Sequence, residues 1–150
     1  MMNTYFGQDL LKKISIFIAI QFLFAFLVQA ETFSVRCKFT NGQATDFDKS
    51  LPNTKKSNDM SELIFDQIDS TKNTARLVGS LGAQTVEMIS GADLIHLIEL
   101  TNAGNMNITT IFGTSKILSK KTFPVVHSRH IMLSSGPFPS QYLGLCDKLK

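Results

Sequence analysis

The stretch VVHSRHIM, Val125 to Met132, sets two histidines and an arginine within four residues, framed by apolar side chains. Imidazoles bind metals and carry protons near neutral pH, and a guanidinium grips carboxylate or phosphate through paired hydrogen bonds. The backbone decides among these chemistries. On a helix, His127 and His130 would share a face and could hold one ion. On a strand, His127 and Arg129 face one way while Ser128 and His130 face the other. Val125, Val126, Ile131 and Met132, with Pro124 at a strand start, predict a strand. That argues against a two-histidine metal site within the motif. It leaves Arg129, with His127 or His130 beside it, to hold a carboxylate or phosphate, or else to tie down a loop or the chain end through carbonyls.

Other reactive side chains add little. His96, among Leu94, Ile98 and Leu100, is a candidate partner for whichever histidine points inward, or a core histidine satisfied by a carbonyl, Glu99 or Glu87. A metal site needs three or four convergent ligands, so neither a metal nor a cofactor is expected. Ser128 lacks the Gly-x-Ser-x-Gly elbow, and no serine triad order stands out. Asp66, Asp69, Glu87, Asp93 and Glu99 fall near turns or in polar positions and form no evident acid–base pair. These residues point away from an enzyme, and a hydrolase or metal enzyme ranks last among the readings they allow. Asn107-Ile108-Thr109 is a glycosylation sequon, meaningful only in a eukaryotic secretory path.

Lys12 and Lys13 precede the apolar run Ile14 to Val28, and Val28 and Ala30 supply small residues at a cleavage site. This is the pattern of a signal peptide over residues 1–30, and the run is short for a bilayer-spanning helix of about 20 residues. The protein is therefore expected in the periplasm or secreted, meeting a membrane only during export. Residues 31–150 are expected to form one domain. Lys12, Lys13 and Asp9 leave with the signal, so 15 basic and 12 acidic groups become 13 and 11. That balance, with scattered lysines, does not suggest a nucleic-acid partner.

Two cysteines remain, Cys37 and Cys146, near opposite ends of the mature chain; in an oxidising compartment such a pair forms a bridge. Phe33, Val35, Cys37 and Phe39 alternate with polar residues, which predicts a first strand closed by a turn at Asn41-Gly42. Residues 43–60 read as a long loop. Strands follow at 63–68, 74–79, 85–89, 94–100, 106–112, 123–133 and 141–146, with turn residues between them. Phe33, Phe39, Phe65, Phe112 and Phe123 are expected in the core. Eight strands at this spacing predict an all-β antiparallel meander, either a closed, lipocalin-like barrel or a small sandwich. In a barrel, first and last strands are neighbours and the disulfide pins the closure; the interior takes side chains or one small ligand.

FSVRCKFTNG near the start, with FPVVHSRH and GPFPSQYLGLC at the end, resembles a group of small exported single-disulfide bacterial proteins of unassigned function. In these, an early strand cysteine and a terminal Gly-x-Cys recur around a histidine–arginine segment. The layout is more loosely similar to periplasmic lysozyme inhibitors, which close a small barrel with a disulfide to the last strand; their aromatic-rich inhibitory loop is not evident, and Ser134 to Tyr142 is a faint echo. The resemblance implies a periplasmic β-domain and no activity. The expectation is thus a binding protein for a small ligand or an envelope protein partner. Its candidate site is His127, Arg129, His130 and Tyr142 in or beside the loop Ser134 to Tyr142. The alternatives are a structural envelope protein in which the same residues only lock the terminal strand, and a protein like the lysozyme inhibitors.

Overall fold

The computed structural model describes residues 32–47, 51–117 and 119–149. The predicted signal segment, residues 1–30, lies outside them. The described chain is a closed antiparallel barrel of eight strands. These are β1 (Phe33–Asp46), β3 (Glu62–Asp69), β4 (Thr74–Gly79), β5 (Gly82–Ser90), β6 (Leu94–Leu100), β7 (Met106–Phe112), β8 (Thr122–His130) and β11 (Ser140–Lys148). Each pairs with the next around the circle, and β11 closes on β1. The short β2 (Asn53–Lys56) adds to the far half of β1, beyond β3. A small hairpin of β9 (Met132–Leu133) and β10 (Gly136–Pro137) links β8 to β11.

Period-two alternation builds the wall. Phe123, Val125 and His127 of β8 are buried, as are Ile95 and Leu97 of β6 and Thr109 and Ile111 of β7, while the residues between them face outward. Register turns these faces into layers, because residues directly opposite on paired strands share a face. At one end Cys37, Cys146 and Phe123 stand abreast. The next layer is Phe39, Gly144, Val125, Ile111 and Ile95. Phe65, Ile68, Ala75 and Val86 complete this apolar half. Each large side chain withdrawn from water here contributes about 1.5–3 kcal/mol. The Cys37–Cys146 bond joins the first and last strands across the seam.

The structure corrects several expectations. Asn41-Gly42 is not a turn: β1 runs through it to Asp46, absorbing one extra residue as a bulge between Phe39 and Asn41. Glycine is required at 42 for a different reason. A Cβ there would overlap the Tyr142 ring and stand 2.5 Å from the Ser57 carbonyl oxygen. The predicted loop 43–60 accordingly contains the end of β1 and all of β2. The predicted strand 123–133 ends at His130, where the chain leaves the wall for the β9–β10 hairpin. Phe112 is also not core; it closes β7 on the outer face.

Candidate functional site

The other half of the interior mixes polar side chains with apolar ones. Its inner layer is Gly42, Tyr142, His127, Thr109, Leu97 and Met88, each opposite the next. His127 is 3% exposed and Tyr142 1%. The two rings pack with Phe39, centroids 5.8 and 6.4 Å from it. His127 Nδ1 shares a hydrogen bond with Thr109 Oγ1 at 2.8 Å, and Tyr142 Oη shares one with Ser57 Oγ at 3.1 Å. His127 Nε2 has no partner among the described residues. Burial, and then the nearby Arg129 charge, lower the His127 pKa to about 4, so the ring is neutral at physiological pH.

The outer layer forms the rim. Reading across β2, β1, β11, β8, β7 and β6, it runs Lys55, Ala44, Ser140, Arg129, Asn107, Glu99. Arg129 is half-buried; its Nη1 donates to Tyr142 Oη at 3.4 Å, with its guanidinium carbon 5.9 Å from that ring's centre. Asn107 Nδ2 donates to Glu99 Oε2 at 2.7 Å, and Gln84 donates to the other Glu99 oxygen. Ser140 Oγ and Asn107 Oδ1 are buried and have no hydrogen-bond partner among the described residues.

The alternation expected in VVHSRHIM therefore holds, with His127 and Arg129 inside and His130 exposed on the outer wall. Tyr142 joins the inner pair. His130 instead borders an open cavity of about 350 Å³ with Phe47, Met132 and Pro137. His96 also faces outward, bonded to Thr110 Oγ1 at 2.9 Å rather than to a carbonyl or carboxylate. It reaches no inward histidine, because Ile95 and Leu97 hold the inner face. The carboxylates have separate duties. Asp66 pairs with Arg76 through two contacts of 2.6 and 2.8 Å on the outer wall. Asp69 caps the β3–β4 turn through the Thr71 hydroxyl and the Thr71 and Lys72 amides, which hold its pKa near 2. Asp93 holds Ser115. The sequon residue Asn107 is turned into the barrel. Among the described residues, no group of three His, Cys, Asp or Glu side chains is placed to hold a metal ion.

Sequence reasoning missed Ser57, Thr109, Ser140 and Lys55. Part of the signal was available: in SQYLGLC, Ser140, Tyr142, Gly144 and Cys146 share one face, and in NITTI, Asn107, Thr109 and Ile111 share another. Once Cys146 is taken as inward, the polar residues two and four positions before an inward apolar one must be inward as well.

The polar end carries large exposed apolar side chains, most of them on its loops: Leu81 at 103%, Leu51 at 76%, Leu100 at the end of β6 at 71% and Met132 at 66%, together with Phe47 and Leu133. A second open cavity, about 380 Å³, lies against the β4–β5 hairpin and is lined by Leu77, Leu81, Gln84 and Glu99. Comparison with protein-family models, with curated proteins and with solved structures finds no match to this chain.

Proposed function

We propose that this protein is an exported, non-enzymatic binding protein of the periplasm or extracellular space, and that its working end is the polar mouth with its surrounding loops. The observation that carries this reading is coincidence in space. Inward-facing polar side chains with unmet hydrogen-bonding capacity and outward apolar side chains on loops both gather at the end opposite the disulfide. Neither feature stabilises a monomer: an orphaned buried polar atom costs about 1–3 kcal/mol, and clustered exposed apolar groups favour association. Large side chains, among them Phe39, Tyr142, His127 and Phe123, fill the interior. Binding at the mouth and over the loops, to a protein partner or a small ligand, therefore suits this barrel better than enclosure of a ligand deep inside.

The test is position-specific photo-crosslinking in the exporting cell, with the crosslinker at Leu81 or Met132 and at Thr71 on the opposite end. Native and denatured masses of the purified protein are compared alongside to detect a small ligand. The reading predicts a discrete adduct from the loop positions, or a mass lost on denaturation, and none from Thr71. Equal labelling from both ends with no bound mass would overturn it.

A further inference from the structure

We infer that the rim holds a carboxylate group, seated between Arg129 and Lys55 over the small side chains of Ala44 and Ser140. This rests on the polar end being the binding end and names the chemistry it recognises.

Lys55, Ala44, Ser140 and Arg129 are consecutive partners on four adjacent strands, and all four belong to the inner face. Neighbouring strands lie about 4.8 Å apart, so the backbones carrying the two cations are about 14 Å from each other. Between them stand an alanine and a serine, the two smallest side chains of the row, both buried beneath the rim. Among the described residues, neither cation is in an ion pair. The floor supplies a donor: Ser140 is 6% exposed, yet its hydroxyl has no hydrogen-bond partner there. A buried hydroxyl beside an arginine lacking an ion pair is a half-built acceptor site, and an oxyanion completes it with two guanidinium bonds and one from Ser140 Oγ.

The surrounding charges choose the anion. Glu99 stands two strands beyond Arg129 in the same row, and Asp46 lies two residues beyond Ala44 on the same face of β1. Two cations flanked by two carboxylates suit a singly charged, planar acceptor better than a phosphate dianion. The guanidinium fork matches carboxylate geometry, and Lys55 at the exposed edge adds attraction without fixed direction. The carboxylate can belong to a small organic acid or to the C-terminus of a peptide chain.

The experiment is a heteronuclear NMR titration of the disulfide-bonded protein at constant ionic strength. Its probes are acetate, inorganic phosphate, and one short peptide prepared with a free C-terminal carboxylate and as the C-terminal amide. Saturable shifts centred on Ser140, Arg129 and Ala44 are expected with acetate, with the free-acid peptide, or with both, and at least tenfold weaker with phosphate and with the amide. Acetate alone identifies a small acid as the source; the peptide alone identifies a chain end. Arg129→Gln should weaken binding at least tenfold and Ser140→Ala about threefold. Lys55→Gln, at an exposed position on the edge strand β2, should weaken it about threefold. Shifts that are absent with every carboxylate, that phosphate reproduces equally, or that the Arg129 and Lys55 variants leave unchanged would overturn the inference. Loop-specific crosslinks obtained alongside such a failure would leave the polar end as the binding end and remove only its carboxylate chemistry.

Discussion

Strands β1, β8 and β11 each contribute to both ends of the barrel interior, and they contribute different chemistry. At the disulfide end they supply Cys37, Phe123 and Cys146, all fully buried and requiring no hydrogen bonds beyond the ladder. Two layers away the same strands supply Gly42, His127 and Tyr142, and one layer further Ala44, Arg129 and Ser140. The first end is closed by area and a covalent bond. The second is held by a few directional contacts and leaves three buried polar atoms without partners among the described residues. The fold depends on the first end: apolar packing there offsets unpartnered polar groups at the other, as expected where stability is traded against binding.

The largest effect should come from the seam. A Cβ at residue 144 would overlap the Lys38 carbonyl group, a backbone obstacle that no rotamer change relieves. Gly144→Ala should therefore cost more than about 4 kcal/mol or prevent folding altogether, read by urea denaturation. Replacing Cys37 and Cys146 together by alanine comes next, at about 2–5 kcal/mol, because the bond closes a loop with a sequence separation of 109 residues. A double variant as stable as the parent would show that the apolar end closes without its covalent clamp.

The polar end should announce itself through pH. The His127 pKa is depressed to about 4 in the folded state, against about 6.5 unfolded. Between those values the unfolded chain binds the extra proton, so this contribution is complete above pH 6.5 and is lost as pH falls toward 4. Its size is about 3 kcal/mol, and it should be missing in His127→Gln. Asp69 and Asp66 are depressed below the ordinary carboxylate value, so their contributions persist through that window and fade only below about pH 4. Parallel pH profiles for the parent and His127→Gln from pH 7 to 4.5 would mean that His127 is not held neutral in the core. Smaller still, His96→Ala removes one outer-wall hydrogen bond and should cost no more than about 1 kcal/mol in thermal denaturation.

How much of this was legible in the sequence follows from the range of each signal. Alternation is local, so the strands at 74–79, 94–100 and 106–112 and the opposed facing of His127 and His130 could be read directly. The two cysteines fit closure without deciding it, because a bridge can also join the two sheets of a sandwich; the β11–β1 ladder decides for the barrel. Features set by another strand could not be read. Asn41-Gly42 carries a hairpin signature, yet the glycine answers to Tyr142 and Ser57, 100 and 15 residues away in sequence. The rim row depends on register around six strands, and a one-residue slip in any pair would dissolve it. His96 is easily set among the wrong neighbours because LIHLIEL is apolar on both faces, and only the ladder decides which face is inner.

Arg129 gives the most direct test of the central claim, that the polar mouth is kept for binding and not for holding the barrel together. Its replacement by methionine keeps the length of the stem and removes the charge, and the measurement is urea denaturation of parent and variant at pH 7.5. The change removes a 3.4 Å hydrogen bond to Tyr142 and the approach of the guanidinium to that ring, together worth about 1 kcal/mol or less. The account predicts stability within about 1 kcal/mol of the parent in either direction. A loss above about 2 kcal/mol would contradict it, and would make Arg129 a lock on the terminal strand.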